Sequence, residues 1–343
     1  ATTPITVSLG ANPGGATLAG TVTTNAVAGV ATFGDLRLGH PASGYTLVAT
    51  APGLSSDTSA AFDIKLTFVQ LDVGDSHTCG VTIVAAAYCW GAGGGRVGDG
   101  TIEQRLTPTP VVGGLRFLEV SAGGSHSCGV TTEHVAYCWG SGFDGQLGNG
   151  TIFSGSSTPS AVSGGLSFAT ISAGHAHSCG VTTGSVAYCW GSNVDGRLGD
   201  GTTDTRATPT LVSGALSFAQ VSAGGFHSCG VTPTGTAYCW GENFGGQLGD
   251  GSNTTSLTPT MAQGNLVFER ITTGFVHTCG ITAGRLAYCW GFNPAGQLGD
   301  GTTTVRETPT PVSGGLSFAE VSGGSDHTCA VTTGNVAYCW GFN

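Results

Sequence analysis

Lysine is all but missing from this chain: Lys65 is the only one among ten basic residues, and charged residues make up only 9% of the sequence. Twenty acidic residues against those ten give a formal charge of -10. A nucleic-acid partner requires a basic field to displace counterions from phosphate, so no nucleic acid is expected here. An anionic membrane surface is disfavoured on the same ground. No apolar run approaches the roughly 20 residues that a bilayer demands, which excludes insertion by a helix. No window carries a 3.6-residue apolar period together with helix formers, so helices are not expected either. There is no Ser-His-Asp order, no G-x-S-x-G elbow and no phosphate loop. The triple glycine Gly93 to Gly95 lacks the lysine and following helix that would make one. Neither an enzyme nor a bound cofactor is expected.

What is abundant is glycine, at 61 residues, set between regularly spaced Val, Phe, Tyr, Trp and Cys. The phrase His-Ser/Thr-Cys starts at His77, His126, His177, His227, His277 and His327, in steps of 49, 51, 50, 50 and 50 residues. Each copy runs on to Ala-Tyr-Cys-Trp-Gly, and these phrases hold every tryptophan of the chain: Trp90, Trp139, Trp190, Trp240, Trp290 and Trp340. A glycine-rich turn and a Thr-Pro then lead to a further apolar stretch. Each unit reads as four short strands; in the third copy these are Phe168 to Ala173, His177 to Thr182, Val186 to Trp190 and Pro209 to Val212. Four-stranded units of about 50 residues repeated in tandem predict an all-β protein with a β-propeller over residues 65–343.

The turn G-x-L-G-x-G-T/S (Gly145 to Thr151, Gly196 to Thr202, Gly246 to Ser252, Gly296 to Thr302), the histidine strand and the Trp-Gly ending together resemble the regulator of chromosome condensation repeat. The resemblance spans about residues 66–343. It implies a seven-bladed propeller that serves as a protein-binding platform, in a family whose members act as an exchange factor, a β-lactamase inhibitor and a light receptor. Two features depart from that pattern: six copies are present, the last stopping after Trp340-Gly341, and each carries a cysteine pair.

Residues 1–64 have neither Cys nor Trp. Ile5 to Leu9, Asn12 to Gly15, Gly29 to Phe33 and Tyr45 to Ala51 resemble a bacterial immunoglobulin-like β-sandwich that lacks its first strands. With Ala1 in place of an initiator Met and Asn343 inside a repeated motif, a portion of a longer product is expected.

The twelve cysteines form six pairs ten positions apart: Cys79 with Cys89, Cys128 with Cys138, Cys179 with Cys189, Cys229 with Cys239, Cys279 with Cys289 and Cys329 with Cys339. A three-residue hairpin loop sets each pair directly opposite, at about 4.5 Å between Cα atoms, within disulfide reach. Each such bridge should contribute about 2–3 kcal/mol and belongs in an oxidising compartment, hence an extracellular or cell-surface setting. Zinc on His177, Cys179 and Cys189 is the rival, but each unit offers three ligands where zinc wants four. Histidines recurring once per repeat suit hydrogen bonding between blades better than a catalytic ring. His40, His134 and His175 fall outside the period and read as loop residues. Asp99, Asn149, Asp200, Asp250 and Asp300 suit turn capping better than calcium, because each turn supplies one carboxylate where calcium needs six to eight oxygens.

The expected role is a non-enzymatic, extracellular scaffold that binds protein or glycan through loops held by rigid blades. The non-periodic side chains Phe143, Asp144, Phe153, Phe226, Glu242, Phe244, Arg285 and Phe292 are the candidates for contact. Self-assembly into a head-to-tail fibre, with strand addition to the incomplete first domain as one route, is the structural alternative. Inhibition of a secreted enzyme is a further one.

Overall fold

A computed structural model describes residues 3–39 and 41–343, so His40 lies outside the described residues. The chain divides into two compact units, Ala1–Thr67 and Phe68–Asn343. All described regular structure is β.

In the first unit, Pro4–Leu9 pairs on one side with Thr23–Asn25 and on the other with Leu47–Thr50, which in turn pairs with Asp57–Thr58. Two small ribbons, Leu18–Ala19 with Arg37–Leu38 and Ala42–Tyr45 with Phe62–Ile64, complete it. Tyr45 is fully buried and stacks on Phe62 at 6.1 Å. Gly29 sits in a tight turn closed by mutual bonds between Val27 and Val30, with Ala28 and Gly29 both at positive φ.

The second unit repeats one design. Phe168–Ala173, His177–Thr182, Ala187–Gly191 and Arg206–Leu211 hydrogen-bond in sequence order as an antiparallel meander, and the other sheets follow the same order. Among the described residues there are six such sheets, five with four strands and the last with three. We call them blades 1 to 6. The first strands of all six line one axial cavity of about 560 Å³, which makes them the inner strands of a propeller.

Each apolar cluster straddles two neighbouring blades. Cys128, Val130, Ala136, Cys138 and Leu147 of blade 2 meet Phe168, Ile171 and Trp190 of blade 3. The core is therefore a set of seams between blades, with no single centre. Glycine permits the closest approaches in them: Gly148 has φ +66°, and a Cβ there would stand 2.6 Å from Trp190 Nε1 of the next blade. The leading face of a blade is covered by the blade before it. Val120 of blade 2 is accordingly 1% exposed, whereas Leu71, its counterpart in blade 1, is 55% exposed.

All six cysteine pairs are disulfides. Cys79 is bonded to Cys89, Cys128 to Cys138, Cys179 to Cys189, Cys229 to Cys239, Cys279 to Cys289 and Cys329 to Cys339. The bonded residues are directly opposed, with Cα atoms 4.0–4.1 Å apart, somewhat closer than the expected 4.5 Å. They leave no thiolate to the zinc alternative.

A candidate binding surface around the axial cavity

The periodic residues are used up in the seams. His77, His126, His177, His227 and His277 each place Nε2 within 2.7–2.9 Å of a hydroxyl on the next blade (Ser127, Ser178, Ser228, Thr278 and Thr328). Each hydroxyl donates in turn to a backbone carbonyl of the blade behind it, of Arg96, Gln146, Arg197, Gln247 and Gln297 respectively. The indole N–H of the next blade's tryptophan donates to the same carbonyl at 2.9 Å. Because the hydroxyl proton is committed, the network assigns the imidazoles as Nε2–H donors, and all five Nδ1 atoms stay buried without a partner. Burial disfavours the imidazolium, pushing His77 and His277 down to about 4 and His126 and His227 to about 3, with His177 also far below the ordinary value. These histidines are neutral struts. His327, on the last blade, is exposed.

The cystines add nothing to a contact surface in blades 1 to 5. Cys89, Cys138, Cys189, Cys239 and Cys289 are fully buried, as are their mates. Blade 6 differs: Cys329 is half-buried and Cys339 exposed, since no further described blade covers that side.

The aspartates of the glycine-rich turns are also occupied. Asp200 accepts from the Thr202 backbone and hydroxyl through Oδ1 and from Arg206 Nε through Oδ2, and Asp99 and Asp300 repeat the arrangement.

In a meander, the link between strands one and two and the link between strands three and four leave the sheet at the same end. That end of the propeller, here the loop face, carries Phe143, Asp144, Phe153, Phe226, Glu242, Phe244 and Phe292. Arg285 does not join them. It lies in the link between strands two and three of blade 5, at the opposite end, paired with Glu269 at 3.2 Å. His134 occupies the matching link of blade 2 and bonds the Phe168 carbonyl through Nδ1.

Around the cavity mouth a bar of side chains spans blades that are not neighbours. His175 Nδ1 of blade 3 reaches Asp75 Oδ2 of blade 1 at 2.9 Å, with both side chains under half exposed. That bond raises the pKa of His175 and lowers that of Asp75. The His175 ring meets the Phe275 ring edge-on at 5.2 Å, Phe275 meets Phe226 at 4.8 Å, and the Arg197 guanidinium lies 5.0 Å from the Phe226 centroid. Arg197 is buried, which lowers its pKa, and is held by Asp195 Oδ2 and the Gly225 carbonyl, each at 3.1 Å. Glu242 alongside has its pKa raised, first by burial and then by Asp195.

Asp75, His175, Phe275 and Arg197 are absent from the sequence-based set of contact residues, which treats His175 as a loop residue only. A signal is there. Of the two positions that precede Ser76 and its counterparts, the first is glycine in every repeat, whereas the second is glycine only in blades 2 and 4 and varies elsewhere as Asp75, His175, Phe275 and Ser325.

The model of the RCC1-like domain matches residues 13–318, and that of the regulator of chromosome condensation (RCC1) repeat matches residues 318–343. Human WBSCR16 is similar in structure at 20% identity, over 84% of this chain and 82% of its own, with a TM-score of 0.72. Yeast RCC1 (Prp20), solved with Kap60 bound, is similar at 21% identity over 80% of this chain and 70% of its own, with a TM-score of 0.70. The CRINKLY WD40 ectodomain of the Arabidopsis thaliana receptor kinase ACR4 is similar at 22% identity over 87% and 91%, with a TM-score of 0.54. At such identities the likeness is one of fold. No curated protein matches the chain in sequence.

Proposed function

The chain belongs to the RCC1-like domain family, and we propose that it is a binding protein whose loop face, centred on the cavity mouth, recognises a protein partner. The observation that carries this reading is a division of labour between repeated and unrepeated residues. His, Trp, Cys and Asp of the repeat are consumed in seams, staples and turns, while Asp75, His175, Phe226 and Phe275 depart from the repeat and converge at one mouth. Scaffolds that fix loop positions and vary loop side chains are how binding platforms are built. Yeast RCC1 (Prp20), which is similar in fold, was solved with Kap60 bound, a precedent for a protein partner among proteins with this fold.

We place the protein in an oxidising, extracellular setting, because six disulfides would not persist against a reducing thiol pool. Residues 1–64 are read as a partial immunoglobulin-like domain; the absence of Cys and Trp and a separate small core around Tyr45 favour that reading.

The test is to probe arrays of exported proteins and of glycans with the purified chain. A protein ligand should be retained, and Phe226→Ala combined with Phe275→Ala should weaken it by about tenfold or more, the effect of removing a central aromatic anchor. Arg285→Ala, on the opposite end, should leave it unchanged. Ligands that respond only to Arg285→Ala would overturn the choice of face, and glycans alone would overturn the class of partner.

A further inference from the structure

The loop face carries a pattern that narrows the partner. Phe143, Val194 and Phe244 each stand four residues after the tryptophan of blades 2, 3 and 4, and they are 64%, 66% and 65% exposed. The same position holds Gly94 in blade 1 and Pro294 in blade 5, so three successive blades raise an apolar knob where their neighbours do not. Phe153 supports Phe143 through a backbone bond, and Phe292 lies 6.3 Å from Phe244. Exposed apolar side chains in a row mark interaction surfaces more often than scattered single ones do.

Carboxylates accompany the knobs. Asp144 and Asp195 directly follow Phe143 and Val194, and Glu242 precedes Phe244 by two residues. The one cation among them, Arg197, is withdrawn: its side chain is 4% exposed and tied to Asp195. What the arc shows to solvent is apolar and negative. These acids sit on three different blades, a spread suited to several charges along a chain and not to one ion held at a point.

We propose that this arc of blades 2 to 4 takes a cationic polypeptide segment of a partner protein, its apolar side chains set between the knobs and its Lys or Arg groups against Asp144, Asp195 and Glu242. Alternate residues of an extended segment point opposite ways, so one strand can offer both kinds of contact. Aromatic faces beside the carboxylates add cation–π attraction, the mode Arg197 already uses on Phe226. The inference rests on the binding role above and adds the chemistry of the ligand.

Fluorescence polarisation with the full chain tests it, using three synthetic peptides of equal length: alternating Lys and Leu, alternating Glu and Leu, and alternating Lys and Ser. Only the Lys/Leu peptide should bind well. A Phe143→Ala, Val194→Ala, Phe244→Ala triple variant should weaken it by about tenfold, as should Asp144→Asn with Glu242→Gln. The second variant should also flatten the salt dependence, since it removes the charges that salt screens. Arg285→Ala should have no effect. Equal binding of the Glu/Leu peptide, equal binding of the Lys/Ser peptide, or indifference to both variants would overturn the proposal. If the arrays yield an acidic protein that still depends on Phe226 and Phe275, this inference fails while the binding role stands.

Discussion

Glu119 occupies the place in the inner strand that Gln70 and Gln220 fill in blades 1 and 4. Each glutamine amide bridges to the next blade, receiving the backbone N–H and donating to the carbonyl of Val120 or Ile271. Glu119 receives the Ile171 N–H in the same way, but only its protonated form could donate as glutamine does. Burial, with Asp72 adding repulsion, pushes its pKa up to about 7. A carboxyl whose folded pKa is raised contributes stability at low pH and loses it as pH climbs from its unfolded value through the folded one. Glu119→Gln should therefore raise stability at about pH 8 by up to about 3 kcal/mol and change little near pH 4.5, measured by denaturant titration at both pH values. An equal effect at both would show that the carboxyl is ionised throughout.

At the scale of the element, the hairpin between strands two and three decides the staple. Thr182 N–H bonds the Val186 carbonyl, leaving a three-residue loop whose last member, Ser185, has φ +63°; Cys179 then faces Cys189. Ala85, His134, Arg285 and Asn335 hold the same left-handed conformation, and blade 4 uses Gly235. This conformation costs a side chain about 1–2 kcal/mol, partly offset by the greater freedom of unfolded glycine. Ala85→Gly should thus stabilise blade 1 by about 0.5–1 kcal/mol, seen as a higher melting temperature, whereas a fall would mean the loop conformation differs. This element was legible in sequence because ten-residue spacing around a short turn leaves one register. Arg285 shows where legibility stopped. Its exposure in a loop could be read, but the end of the blade it occupies depends on counting strands, and the strand boundaries shifted by up to three residues at Pro209–Val212, observed as Arg206–Leu211.

For the whole molecule, the repeat period revealed the blades and the seams, since each residue in them recurs. It could not reveal what crosses the axis: Asp75 and His175 hold the same position in repeats two apart, 100 residues along the chain, and the period carries no sign that their side chains meet. The seams also set the response to acid. Five buried histidines have folded pKa values below their unfolded ones, so their contribution is whole above about pH 6.5 and declines as pH falls toward 4. Each should contribute a slope of about 1.4 kcal/mol per pH unit, and five outweigh the opposed groups Glu119, Glu242, Asp72 and His175, whose folded pKa values are raised. The melting temperature should drop steeply between about pH 7 and pH 5, with the disulfides intact. A flat profile over that range would mean the imidazoles are solvated.

Every disulfide closes inside one hairpin, between residues ten apart, and none links one blade to another. Oxidation can therefore keep pace with delivery of the chain: the Cys79–Cys89 bridge can form before Cys329 and Cys339 have emerged from ribosome or translocon. A cysteine met in order finds its mate as the next one to arrive, so a polypeptide with twelve thiols can be oxidised from one end to the other with little need for reshuffling.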